Sequence, residues 1–106
     1  MNALEKEVLN KFKTLLLERV GLHELILFGS RARGDADLYS DMDVVVILDE
    51  SASEKAGDDI SDCAWEAGFV HGIVVVPVVF SRHEWEEGPE RFSLLAEAVK
   101  ADGVII

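Results

Sequence analysis

Cysteine, proline and basic residues are all scarce in this chain, and each shortage narrows what it can be. Its one cysteine, Cys63, rules out an internal disulfide and suits a cytoplasmic location. Cys63 lies beside Ala64 in a helical pattern and reads as a small core residue. With only two prolines there is no proline-rich linker. No repeat or low-complexity segment divides the 106 residues, which suffice for one domain with one core. Long apolar runs are missing too. The longest, residues 73–80, is β-branched, broken by Pro77 and far short of the roughly 18 residues that a membrane span needs. The N-terminus alternates acidic, basic and apolar residues, so no signal peptide is expected. Lys and Arg number 10 against 21 Asp and Glu, a net charge of −11. That balance argues against direct binding to nucleic-acid backbone, which needs clustered cations. It also repels free nucleotides at long range, so a triphosphate site here has to rely on a metal and local donors. A solvated acidic surface is the commoner explanation of such a charge, and a basic protein partner also fits it.

What is present is apolar enough to fold, with 49% hydrophobic residues. Leu4, Val8, Phe12, Leu15 and Leu16 recur at helical spacing and predict an amphipathic helix over residues 3–20, stopped by Gly21. Residues 25–28 read as a short buried strand. Residues 30–33 suit one helical turn ended by Gly34, and 35–40 a polar loop. The wholly apolar residues 44–48 predict a strand inside a sheet covered on both faces. Asp58 or Asp59 is expected to cap a helix running to Phe69, with Ile60, Ala64 and Ala67 facing inward. Residues 73–80 form a third strand, and Pro77, which cannot donate to a ladder, places it at an edge or a bulge. Ser81 and Glu84 have the spacing of a capping box.

A further helix is expected over residues 89–101, with Phe92, Leu95 and Val99 at helical spacing, ended by Gly103. Residues 104–106 are left as a short apolar tail that could serve a homo-oligomer. The order α-β-β-α-β-α implies one α/β sheet packed by helices. Trp65 and Trp85 are expected to pack at helix faces, or to mark a contact surface if exposed. His23, His71 and His83 are not at ligand spacing from one another and read as surface or strand-end residues.

The stretch from Leu27 to Leu48, LFGSRARGDADLYSDMDVVVIL, carries the chemistry. Strand side chains alternate faces, so Asp41 and Asp43 at the start of a strand project to one side. Two carboxylates there can share a divalent cation. Magnesium takes one or two carboxylates and completes its shell with waters and substrate phosphates. Upstream, Gly29 lets backbone approach a phosphate because it has no side chain, and Ser30 can donate both its hydroxyl and its N–H. Arg31 and Arg33 cannot both face one ligand on a short helix. One is expected to reach phosphate, and the other to pair with Asp35, Asp37 or a partner protein. Asp35 and Asp37 themselves read as turn residues.

Gly29-Ser30, a ten-residue spacer, then Asp41-Met42-Asp43 between apolar flanks resembles the signature of the polymerase-β-like nucleotidyltransferase superfamily. The fuller string from Phe28 to Gly34, followed by Ser40 to Asp43, resembles its smallest branch, the minimal nucleotidyltransferases (MNT). The close match covers about twenty residues, and a signature of that length in this context is far more specific than a lone short motif. The resemblance implies an α/β (α+β) fold, a mixed sheet flanked by helices. It implies Mg²⁺-dependent (or Mn²⁺-dependent) transfer of a nucleoside monophosphate, usually AMP from ATP, to a hydroxyl. It assigns Asp41 and Asp43 to the metal and to catalysis, and Gly29, Ser30 and Arg31 or Arg33 to the nucleotide. It also implies a helical HEPN-type protein partner, neutralised either by adenylylation or by binding alone. One departure stands out. Active members generally bring a third carboxylate from a neighbouring strand, and the strand expected over residues 72–80 has no Asp or Glu.

Overall fold

The computed structural model describes all residues except 38, 51, 53, 54 and 90–92. Helix α1 (Ala3–Arg19) opens on a reciprocal capping box, in which the Asn2 side chain accepts from the Glu5 N–H and Glu5 accepts from the Asn2 N–H. Strand β1 (Leu22–Phe28) runs into the single turn of α2 (Ser30–Arg33), and strand β2 (Met42–Leu48) follows the loop. Helix α3 (Ala56–Phe69) leads to β3 (Val75–Ser81). Helix α4 (Arg82–Glu87), helix α5 (Leu94–Asp102) and strand β4 (Val104–Ile105) complete the order. None of the described helices is long and apolar enough to cross a membrane.

The sheet has four strands in the order β3-β2-β1-β4. It is mixed: β1 is antiparallel to β2 and β4, while β2 and β3 are parallel and joined through α3. Val44, Val45, Val46 and Ile47 of β2 have no exposed surface, as expected of a strand covered on both sides. On one face Leu25, Leu27, Met42, Val44 and Val46 pack against Val8, Phe12 and Leu16 of α1 and Ile60, Cys63 and Ala67 of α3. On the other, Ile26, Val45 and Ile47 meet Val99 of α5, flanked by Phe28, Phe80, Trp85 and Leu95. The Ser81–Glu84 capping box forms, and α4 turns Trp85 back onto Phe80 with 5.2 Å between ring centroids.

Several expectations shift. The helix over residues 56–69 starts earlier than Asp58 or Asp59, with Lys55 at the cap position. The two aspartates occupy its first turn, where they favour the positive end of the helix dipole. The last long helix starts at Leu94 with Ser93 as its cap, and Phe92 lies outside the described residues. Residues 104–106 are not a loose tail. Val104 and Ile105 pair with Leu27 and Ile26, and the Ile106 N–H donates to the Leu25 carbonyl at 2.9 Å. The strand is too short to carry a periodic signal, and its partner edge on β1 exists only in the folded chain. Pro77 does lie in an edge strand, β3.

The turn from α3 into β3 is tight. The Ile73 N–H donates to the Gly68 carbonyl at 3.1 Å, and a Cβ at Gly68 would overlap the Ile73 carbonyl oxygen. Gly68→Ala should therefore destabilise the fold by about 1–3 kcal/mol, the usual cost of overpacking a fixed core. Urea unfolding of the variant against the parent measures this.

Candidate active site

Phe28 and Asp43 face each other across the β1–β2 ladder. By strand alternation Asp43 shares its face with Val45 and Ile47, away from the α1–α3 core. It stands at the leading end of β2, where the apolar cover of that face gives out and its side chain is only partly buried. Met42 before it is fully buried on the opposite face, and Asp41 is exposed. Burial, and after it the negative charge of Asp41, push the Asp43 carboxyl above its ordinary range. The Asp43 carboxylate therefore senses the Asp41 charge two residues before it.

Gly29 follows Phe28 directly, and its backbone lies against Asp43. Its φ of 78° and ψ of −158° belong to a region that essentially only glycine populates. A Cβ there would come within 2.7 Å of the Asp43 Oδ2. The dihedral is what disfavours a side chain at residue 29, and a Cβ would also displace the Asp43 carboxylate. Ser30 opens α2, whose Ala32 and Arg33 N–H groups both donate to the Gly29 carbonyl at 3.1 Å. The N–H groups that start a helix have no acceptor within it. The turn thus stands beside the Asp43 carboxylate, with the Ala32 and Arg33 N–H groups already turned onto the Gly29 carbonyl.

The two arginines part company. Arg33 is half exposed and pairs with Asp35 at 3.2 Å. Arg31 is buried inside the protein. Its Nη1 donates to Glu5 of α1 at 3.2 Å, while Nε and Nη2 donate to the Ser40 carbonyl at 3.0 and 2.7 Å. Ser40 immediately precedes Asp41. The chain of contacts from Asn2 through Glu5 and Arg31 therefore ends on the loop that presents the first carboxylate. In that loop Asp37 accepts from the Tyr39 N–H and the Ser40 hydroxyl, so it acts as a turn residue.

A model of the nucleotidyltransferase domain matches residues 9–104. The chain belongs to the nucleotidyltransferase domain family. A candidate protein adenylyltransferase of Methanocaldococcus jannaschii is 32% identical over 80 residues, covering 72% of this chain and 79% of that protein. A second from the same organism is 41% identical over 46 residues, covering 43% and 46%. The crystal structure of a toxin–antitoxin with AMP-PNP superposes on 91% of this chain and 69% of that one, with a TM-score of 0.62 at 22% identity. That likeness is one of fold.

Within this nucleotidyltransferase domain the structure brings Gly29, Ser30, Asp41 and Asp43 to one end of the β1–β2 pair. It leaves Arg33 at the surface nearby and withdraws Arg31. Of the two arginines expected near a nucleotide, Arg31 has its guanidinium engaged by Glu5 and Ser40. Glu5 has no local signal that would mark it; only its capping-box spacing from Asn2 hints that it turns inward. His71 lies 3.6 Å from Glu7 and does not join the carboxylates. In the parallel ladder the residue beside Asp43 is Val76, so β3 offers no third acid. Among the described residues no group of three His, Cys, Asp or Glu side chains could hold a metal. Two hard oxygen donors with mutual repulsion do suit Mg²⁺, which fills the rest of its shell with water and phosphate.

Two predictions follow from this geometry. Because Asp43 is raised in the folded state, its ionised form costs stability at neutral pH, and the cost fades as pH falls below its folded value. Metal-free Asp43→Asn should therefore melt higher than the parent at pH 7, with the gap closing in acid. Calorimetry over a pH series reads both. Arg31→Met should lose about 3–5 kcal/mol by stranding the Glu5 charge, and adding Glu5→Met should recover most of that. The double variant should still exchange the amides of residues 39–41 faster than the parent, since the two Arg31 donors to the Ser40 carbonyl are gone.

Proposed function

We propose that this chain transfers AMP from ATP to a hydroxyl of a partner protein, in the manner of an antitoxin that modifies its toxin. The observation that carries this reading is the contact of the Gly29 turn with the Asp43 carboxylate, with Asp41 alongside. It supports a phosphate-binding turn at Gly29 and Ser30 next to the acids that would hold Mg²⁺ or Mn²⁺. The adenylyltransferase names of the two Methanocaldococcus jannaschii relatives support protein as the acceptor class. AMP-PNP in the toxin–antitoxin of the same fold supports an adenine nucleotide and a protein partner. The family resemblance supports a helical HEPN-type protein as that partner, and the lone Cys63 supports the cytoplasm as the place.

In the transfer, the acceptor hydroxyl gives its proton to solvent and its oxygen bonds to the α-phosphorus as the bond to pyrophosphate breaks. The metal would be held by Asp41 and Asp43 and would neutralise phosphate charge where it develops. Gly29 leaves the backbone open to phosphate oxygens, and Ser30 donates to them. Arg33 offsets negative charge on the triphosphate by exchanging Asp35 for phosphate, at little cost because that pair is solvated. Arg31 binds no substrate and keeps the loop before Asp41 in place. The acceptor hydroxyl comes from outside the chain.

One observation favours a second reading. Val76 lies beside Asp43 where a third carboxylate would serve a two-metal site. Without it the domain would bind and neutralise a toxin by complex formation, with little transfer. The test is label transfer from α-phosphate-labelled ATP with Mg²⁺ to the co-purified partner, with Asp43→Asn alongside. Transfer supports the enzyme if the variant loses about 100-fold or more, as expected when several kcal/mol of charge stabilisation go. No label from the parent, with complex and neutralisation intact, would establish the binding antitoxin.

A further inference from the structure

Trp65, Phe69, Val70 and Val74 are 66%, 63%, 73% and 62% exposed, a concentration of large apolar side chains with no described element over them. Trp65 and Phe69 stack at 4.5 Å between centroids, so the aromatic surface is preformed. They border an open groove of about 450 Å³ between α3 and β3, lined also by Ala64, Ile73, Val74 and Pro77, and none of its lining residues is charged. Surface apolar residues scattered singly need no explanation, but a contiguous patch with a groove marks a contact site. This patch belongs to the α3 side of the sheet, whereas Asp43 shares the opposite face with Val45 and Ile47.

The charges around it are one-sided. Residues 56–81 contain four acids and no Lys or Arg. Glu66 is held by Arg19 of α1 at 2.8 Å. Asp58 and Asp62 are exposed and enter no described ion pair. They also continue the aromatic stripe, since 58, 62, 65 and 69 fall at i, i+4, i+7 and i+11 on one helix face. Asp58 thus lies about 10 Å from Trp65 along the axis. A second copy of this chain is a poor occupant: a twofold contact would add the same four acids of residues 56–81 again, against Lys55 at the start of α3. Nucleic acid is repelled for the same reason.

We propose that the α3–β3 groove docks an amphipathic helix of another protein, with apolar residues over Trp65, Phe69 and Val74 and Lys or Arg about two turns further along over Asp58 and Asp62. This is the helix-in-groove mode of recognition, with the basic residues setting orientation. The inference stands apart from the transfer reaction, because the groove and Asp43 occupy different faces of the sheet.

The test uses the intact chain and two synthetic helical peptides. Both carry leucines on one face of one half; on the same face of the other half one has lysines, the other glutamates. Calorimetry should show the lysine peptide binding at least about 10-fold tighter than the glutamate peptide. Trp65→Ser with Phe69→Ser should weaken it at least about 10-fold without moving the melting temperature, since both side chains are exposed. Asp58→Lys with Asp62→Lys should reverse the preference between peptides, which keeps the test decisive should the aromatic variant misfold. Asp43→Asn should bind like the parent. Equal affinity for both peptides, no binding, or insensitivity to both pairs of substitutions would overturn the proposal. So would a dimer in sedimentation that Trp65→Ser dissolves.

Discussion

The register of the β1–β2 ladder, with Phe28 opposite Asp43, is the constraint on which the candidate site depends. Side-chain direction has a period of two, so a slip of one residue would turn Asp43 into the α1–α3 core and bring Met42 out of it. Four consecutive apolar residues follow, all buried, and apolar content alone does not choose their parity. The choice is made at the ends of the strand. Met42 fills the core beside Val8 and Phe12, while Asp43 finds partial solvent past the end of the opposite apolar cluster. Once that register holds, the chain leaving β1 must pass Asp43 immediately, and only glycine can make the turn.

A carboxylate held half-buried beside another costs stability, as the raised Asp43 shows. The loop that carries Asp41 has few apolar anchors of its own, so it would be a poor platform for a second acid. The buried Arg31–Glu5 pair answers that need. Taking two charges out of water is expensive, and the attraction between them often only breaks even. Here the guanidinium also satisfies the Ser40 carbonyl with two donors, which ties the loop to the N-terminal turn of α1. The pair is better understood as fixing one loop position than as adding stability.

The net charge of −11 acquires a distribution in the fold. Some acids close turns and caps, as Asp37 and Glu84 do. Glu5 is inside, Asp41 and Asp43 gather at one end of the sheet, and Asp58 and Asp62 lie further along the helix that carries Trp65 and Phe69. The two sheet faces therefore present different surfaces: one ends in a carboxylate pair beside a glycine turn, the other in stacked aromatics with acids along the same helix. The parallel β2–β3 connection through α3 makes this possible, because it brings an edge strand of valines beside the helix that carries Trp65 and Phe69.

Much was legible in the chain without its fold. The periodicity of Leu4 to Leu16 marks α1, the unbroken valines mark β2 as doubly covered, and Pro77 marks β3 as an edge. Each reflects a local rule, whether helical period, strand period or a missing N–H. The Gly-Ser turn and the two spaced aspartates were legible for the same reason, since their chemistry needs only short spacings. Contacts between distant segments were not. Nothing local says that Arg31 turns inward to Glu5 while Arg33 stays out, that residues 104–106 add a strand to β1, or that Val76 is the neighbour of Asp43. The sequence by itself determined most of the elements and the spacing of Gly29, Ser30, Asp41 and Asp43. Only the tertiary structure decided which of them meet, because burial and register are properties of the assembled sheet and not of any segment within it.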